Sequence, residues 1–268
     1  MKLLVLAFLV AVGCGGPSRT SYARYPGTPV AFDRSTTTPE TLEIADKVLA
    51  AHGGAASWEA AKQIRWHQAV IAAGKPVASG EQAWDRWNER HWAKLDRTGG
   101  GAFAVIYDVY GAHEIGYIVG RTGGRTTVSS GEAVEGVKIA RKAWARDITA
   151  TLAPFLMFEP GAKLELVGMV KDGDVEMYEL KLSFDPHDTA RSGLEVHLYA
   201  DKEKFLVSRV TVRNAAGELS GYALGNYQAA GGLQIPAERK NLGNGEVTTL
   251  TEIKVSAPDD ELFIAPVS

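Results

Sequence analysis

Strict two-residue alternation fills the second half of this chain. Tyr178, Leu180, Leu182 and Phe184 alternate with Glu179, Lys181 and Ser183. Leu194, Val196 and Leu198 alternate with Glu195, His197 and Tyr199, and Val247, Thr249, Thr251, Ile253 and Val255 with Thr248, Leu250, Glu252 and Lys254. Successive side chains of a strand point to opposite faces, so each stretch specifies an antiparallel strand with one buried face. Asp201-Lys202-Glu203-Lys204 and Asn214-Ala215-Ala216-Gly217 are polar turns joining such strands into hairpins. Further strands are predicted over 65–73, 77–88, 90–98, 102–110 and 114–120, punctuated by Gly74-Lys75-Pro76, Gly99-Gly100-Gly101 and Thr122-Gly123-Gly124. About ten or eleven strands in successive meanders predict a mainly β (α+β) chain built on one large, strongly curved antiparallel sheet.

Three helices interrupt this pattern. Thr38 caps the first, Pro39 suits its first position, and Glu40 and Glu43 favour the positive end of its dipole. Its apolar stripe is Leu42, Ala45, Val48 and Leu49, and Gly53-Gly54 ends it. His52 falls at its C-terminal end, where a capping role outweighs a catalytic one. A short helix over Ser57–Gln63 follows and carries Trp58. The third spans roughly 132–157, with Trp144, Ile148, Leu152 and Phe155 on one face and Lys138, Arg141, Lys142 and Arg146 on much of the other. Pro154 ends or kinks it. Its apolar face either packs on the sheet or forms a lid over a cavity.

The N-terminus bounds where the chain works. Lys2 is followed by an uninterrupted apolar run ending in Ala11-Val12-Gly13-Cys14. A positive charge, a short apolar core and small residues at the boundary make a secretory signal, here residues 1–13, too short to span a bilayer. Cys14 is the only cysteine of the 268 residues. The segment before it resembles a bacterial lipobox, which implies acylation of Cys14 and a membrane anchor. Residues 14–38 read as a flexible tether rich in Gly, Pro, Ser and Thr, and residues 39–268 as a single domain. Gly15 after the lipidated Cys implies sorting to the bacterial outer membrane, facing the periplasm. With 45% apolar residues the body can bury a core without disulfides, and the interspersed net charge of −3 excludes a nucleic-acid footprint.

Three stretches, taken in order, resemble the lipoprotein-carrier and lipoprotein-receptor superfamily of the localisation-of-lipoprotein type. They are the first helix running into Ala51-His52-Gly53-Gly54 and Trp58; Val175–Leu182 with the hairpin His197–Asp201 to Leu206–Arg209; and Tyr227, Gly232-Leu233-Gln234-Ile235-Pro236 and the tail Asp259–Pro266. The resemblance implies an incomplete β-barrel with helices packed on or in its concave side, holding acyl chains in an apolar cavity. The region 81–97 departs from the family's Pro/Phe/Arg/Trp-rich strand and offers Trp84, Trp87, Arg90 and Trp92, with Arg90 in the place of a lid-contacting arginine.

Trp84, Trp87, Arg90, Trp92, Trp144, Ile148, Leu152 and Phe155 are therefore the candidate ligand-binding residues. On continuous strand geometry Trp84 and Trp92 share one face and Trp87 takes the other. Each tryptophan suits a core as well as a lipid site. The sequence shows no nucleophile elbow, no His-Glu-x-x-His, no P-loop and no Cys–His constellation. His113-Glu114 is an isolated pair, Asp185-Pro186-His187-Asp188 reads as a polar turn, and Asp85, Glu89 and Asp96 as a solvated face. The expectation is a non-enzymatic outer-membrane lipoprotein that binds lipid or the acyl part of a lipoprotein, with no cofactor, metal or nucleic acid. The alternatives are an interaction or sensor module with a self-filled barrel, and a hydrolase with a dispersed site.

Overall fold

The computed structural model describes residues 31–97 and 99–266, so Cys14, its lipobox and most of the expected tether lie outside the described residues. Among those residues the chain forms two antiparallel meanders. The first comprises β1 (Gln63–Ala72), β2 (Lys75–Asp85), β3 (Arg90–Asp96), β4 (Ala102–Asp108), β5 (Glu114–Val119) and β6 (Arg125–Thr127). The second comprises β7 (Ala162–Asp172), β8 (Val175–Phe184), β9 (Glu195–Asp201), β10 (Val207–Arg213), β11 (Leu219–Ala230), β12 (Leu233–Asn241) and β13 (Val247–Ser256). β1 pairs with β13, welding the meanders into one 13-stranded sheet whose free edges are β6 and β7. The sheet is curved and unclosed, an incomplete β-barrel with few helices, as the sequence predicts. The expected strand number was low for a physical reason. β6 is three exposed residues without alternation. In β7 the register shifts between Leu166 and Gly168, and this bulge resets the two-residue period.

Four helices pack on the concave face. In α1 (Pro39–Ala51) the Thr38 side chain accepts from the Thr41 N–H at 3.3 Å, and Ile44, Ala45, Val48 and Leu49 are buried. His52 closes the helix and Gly53, at φ +113°, turns the chain into α2 (Gly54–Ala60). A Cβ at Gly53 would collide with the Gly232 carbonyl, so only glycine lets α1 end against β12, where Gln234 N–H donates to the His52 carbonyl at 2.9 Å. α3 (Ser130–Thr151) opens with a complete capping box between Ser129 and Glu132. It breaks at Leu152, and α4 (Ala153–Leu156) carries Pro154 in its first turn. Proline lacks the N–H that an uninterrupted helix needs, which explains the break. Together α3 and α4 form the connection from edge strand β6 to edge strand β7.

The main core lies between these helices and the sheet, with Ile64, Trp84, Leu180, Leu198, Val210 and Ile235 from the sheet among its members. A second core sits on the convex face: Ala83, Trp92, Ala104, Ile106 and Tyr117, covered by Phe263 of a C-terminal 3-10 turn, Asp260–Phe263. The described end of the expected tether also makes contacts. The Phe32 ring meets Phe158 edge-on at 5.3 Å, and Arg34 lies over the same ring at 4.9 Å and pairs with Asp46 at 2.7 Å.

Candidate functional site

One rung of the sheet organises the concave surface. Ile64 of β1 pairs with Trp84 of β2, Trp84 with His91 of β3, His91 with Tyr107 of β4, and Tyr107 with Glu114 of β5. Directly paired residues share a face, so all five point the same way and chemistry grades from apolar to polar along the rung. Trp144 of α3 lies over its middle, 5.7 Å from Trp84 and 6.5 Å from His91 between ring centroids. Trp58 of α2 continues the row, 6.1 Å from Trp84, and stacks on Phe155 of α4 at 4.7 Å.

Two clefts flank this aromatic row, one beyond the Arg86 side chain that covers Trp58 and one bordered by Trp144. The first, of about 360 Å³, is lined by Phe32, Trp87, Phe158, Lys62, Arg86 and Glu159 among others. Its floor is an ion pair: Arg86 Nη2 donates to Glu159 Oε1 at 2.5 Å and Arg86 Nη1 to the Trp58 and Ala61 carbonyls at 2.8 and 2.7 Å. Trp58 Nε1 donates to the same Glu159 oxygen at 2.7 Å, and the Arg86 guanidinium lies 3.4 Å over the Trp58 ring. Burial pushes the Glu159 carboxyl up, but the Arg86 and Arg191 charges and these bonds prevail and hold it below the ordinary range. The second cleft, of about 340 Å³, is lined by Tyr107, Tyr110, Glu114, Arg141 and Trp144 among others. Arg141 donates to the Val109 and Gly111 carbonyls at 2.8 and 3.1 Å and meets Glu114 at 3.4 Å.

Between the clefts the barrel is filled. Trp144, Ile148, Leu152 and Phe155 are each at most 2% exposed, and the gap beside Leu152 and Trp66 holds only about 10 Å³. Asp147 of α3 sits fully buried among them. It accepts from Gln82 of β2 at 2.8 Å and from the neighbouring Arg146 at 2.9 Å, and it pairs with Arg239 of β12. Burial pushes its carboxyl up, and the charges of Arg239 and Arg146 bring it back below the ordinary range.

The sequence-predicted residues divide. Trp84, Trp144, Ile148, Leu152 and Phe155 come together on the concave side, and Trp87 lies in the 86–89 turn at the first cleft, with Lys62 over its ring at 3.9 Å. Arg90 and Trp92 face the other way, correcting the expectation that Trp84 and Trp92 share a face. The four-residue turn places Asp85 opposite Arg90, Trp84 opposite His91 and Ala83 opposite Trp92, which reverses the parity of a continuous strand. Trp92 donates to Tyr117 Oη at 2.7 Å on the convex face, and Arg90 reaches Asp85 at 2.5 Å and Asp260 at 2.6 Å. Asp85, expected on a solvated face, is fully buried and accepts from Asn88 and Arg90. His91, Tyr107, Asp147, Arg86 and Glu159 were not singled out by sequence. Only the pairing register, which no single strand encodes, puts His91 and Tyr107 beside Trp84.

No protein-family model matches this chain, and no curated protein matches its sequence. A solved structure shares its shape. A LolA superfamily protein from Nitrosomonas europaea superposes with a TM-score of 0.51 at 12% identity, over 84% of this chain and 97% of that one. The fold is that of the LolA superfamily. A DUF1329 family protein from Desulfovibrio piger follows at 0.49, with 9% identity over 85% of this chain and 98% of that one. The Mycobacterium tuberculosis lipoprotein LppX scores 0.26, with 10% identity over 81% and 96%. The LolA-type sheet agrees with the resemblance drawn from the sequence. In this chain its concave side is occupied by α3 and α4.

Proposed function

We propose that this protein is an envelope lipoprotein that binds an apolar, acyl-bearing ligand between its concave sheet and the α3–α4 connection. One observation carries the reading: a continuous aromatic row, Phe155–Trp58–Trp84–Trp144, runs under the α3–α4 connection, with one cleft bordered by Trp144 and another beyond the Arg86 guanidinium that covers Trp58. Apolar pockets with a few placed polar groups are the ordinary form of a small-molecule site. Each methylene buried there contributes about 0.8 kcal/mol. In the filled state described here, an acyl chain enters by lifting α3–α4, and its burial offsets the packing that the helix gives up. Trp84, Trp87, Trp144, Ile148, Leu152 and Phe155 are the proposed ligand contacts. Cys14 is the proposed acylation site, the outer membrane the proposed location, and residues 39–268 the proposed single folding unit.

Binding is favoured over catalysis by how the buried titratable groups are used. Asp147, Glu159, Asp85 and Asp188 each lie in an ion pair with an arginine. His52 Nδ1 is committed to the Val48 carbonyl at 2.7 Å. A hydrolase needs a nucleophile within hydrogen-bond reach of a base, and no such pair stands on the rung.

The test is titration with N-phenyl-1-naphthylamine, an uncharged apolar fluorophore, together with mass spectrometry of lipids co-purifying from the native host. Saturable binding and a co-purifying acyl lipid are expected. A second reading, an interaction module with a permanently filled barrel, is favoured by the burial of the α3 face. It predicts no saturable binding and no lipid.

A further inference from the structure

The polar end of the rung is built differently from the rest of the core. Both ring nitrogens of His91, the Tyr107 hydroxyl and Trp144 Nε1 are buried without a hydrogen-bond partner. His91 and Tyr107 are fully out of water and Trp144 is 2% exposed. The three side chains form one cluster: the His91 and Tyr107 rings are 5.3 Å apart and those of His91 and Trp144 are 6.5 Å apart. Leaving a buried polar group unpaired costs about 1–3 kcal/mol, and native proteins show few such groups. Orphaned groups on rings packed together from two strands and a helix are therefore a site waiting for a polar atom. Tyr107 and Trp144 also line the second cleft, so that atom has a way in.

The donor set says what the atom is. Trp144 offers only an N–H, Tyr107 an O–H, and a neutral imidazole one N–H. Burial keeps the His91 ring neutral by pushing its affinity for a proton down to about 3. Charges nearby are already matched, Asp147 by Arg239 and Arg146, and Arg141 by Glu114. Uncharged donors gathered without a free counter-charge suit a carbonyl oxygen. Beyond them along the rung lie Trp84 and Ile64, an apolar floor for the chain attached to that carbonyl.

Resting on the proposed acyl binding, we infer that His91, Tyr107 and Trp144 form a headgroup subsite for the carbonyl oxygen of an acyl group. The acyl group is either a fatty acid taken up as its neutral carboxyl or an acyl ester, each entering through the second cleft. Its chain runs along the rung toward Trp84 and Ile64, in the place that α3 now fills.

The test uses the full chain carrying Cys14→Ser, so that the protein's own acyl group is absent. Displacement of N-phenyl-1-naphthylamine is titrated with dodecanoate and with methyl dodecanoate, for wild-type residues on the rung and for Tyr107→Phe and Trp144→Phe. Tyr107→Phe removes one hydroxyl and no carbon. It is expected to weaken the preferred dodecanoyl ligand about five- to tenfold, to leave fluorophore affinity unchanged, and to raise the urea midpoint of the ligand-free protein, because an orphaned hydroxyl is gone. Tighter binding of the free acid assigns a fatty acid, and tighter binding of the ester assigns an acyl ester; either supports the subsite. Four results overturn it: equal loss of fluorophore and acyl ligand in Tyr107→Phe, unchanged acyl affinity in both variants, a lowered urea midpoint in Tyr107→Phe, or fluorophore binding that neither acyl ligand displaces. The last leaves apolar binding standing, whereas absence of any fluorophore binding removes both readings.

Discussion

Asp147 and Arg239 meet across the interior of the half-barrel, the carboxylate from the filling helix and the guanidinium from the opposite wall. Arg239 Nη1 also donates to Thr151 Oγ1, one turn on, at 2.9 Å. The same carboxylate holds Gln82 of β2, so one side chain fastens α3 to strands from both meanders. Removing it by Asp147→Ala strands Arg239 in the core. A loss of about 3–5 kcal/mol in unfolding free energy is expected, read by urea denaturation. Removing both charges in Asp147→Leu/Arg239→Met is expected to recover much of that loss.

Acid should weaken the fold well before the carboxylates titrate. His52 is fully buried, and desolvation brings its ring down to about 4. Its folded value lies below the unfolded one of about 6.5, so the unfolded chain takes up the proton first. The stability that depends on neutral His52 is complete above about pH 6.5 and drains away as pH falls toward 4, by about 3 kcal/mol. His91 acts in the same direction. Below that window Asp147 and Glu159, both held low, continue the loss as they protonate. Urea midpoints measured from neutral pH down to about 4 are expected to fall steadily, and His52→Gln to flatten part of the slope.

Leu152 marks the break between α3 and α4 and is 2% exposed against a nearly void-free neighbourhood. Leu152→Ala is expected to lower stability by about 2–5 kcal/mol, as for a packed core leucine. A change below about 1 kcal/mol would mean that the site collapses easily and that the helix is loosely held.

Phe263 covers the convex core, with the Arg90 guanidinium 4.3 Å over its ring. Phe263→Ala is expected to cost about 3 kcal/mol and to shift tryptophan emission to the red as water reaches Trp92. Unchanged emission would show that Trp92 stays covered without this plug.

If Cys14 is the acylated anchor proposed above, Cys14→Ser is expected to move the protein from the membrane fraction to a soluble one, because acyl chains are what hold such a protein at a bilayer. Fractionation unchanged by the substitution, with no acyl mass on the N-terminal peptide, would refute the anchor.

Period-two alternation made β8 and β9 readable residue by residue, and capping chemistry at Thr38 and a proline at 154 located α1 and the α3–α4 break. In β13 a register shift near Glu252 moves the core-facing set from Thr248 and Leu250 to Ile253 and Val255, so the expected single stripe is broken. What remained hidden depends on two-dimensional pairing. Trp84 and Trp92 fall on opposite faces because of how many residues the 86–89 turn contains, a number that alternation within either strand does not fix. Asp85 reads as a surface carboxylate until the turn brings Arg90 and Asn88 to it. The His91–Tyr107–Trp144 cluster joins two strands and a helix, and each member alone reads as an ordinary core residue. The bulge at Gly168 hid β7 by interrupting the period from which strands are recognised.

The α3–α4 segment is spliced covalently to both free margins of the sheet, β6 and β7. Sheet and filling are thus a single loop of chain, so a displacement of the helix is felt at both margins through the short links 128–129 and 157–161. A spin-label pair at Thr126 and Lys163 would read the span between those margins as a ruler, and its length would report whether the barrel holds its own helix or a guest.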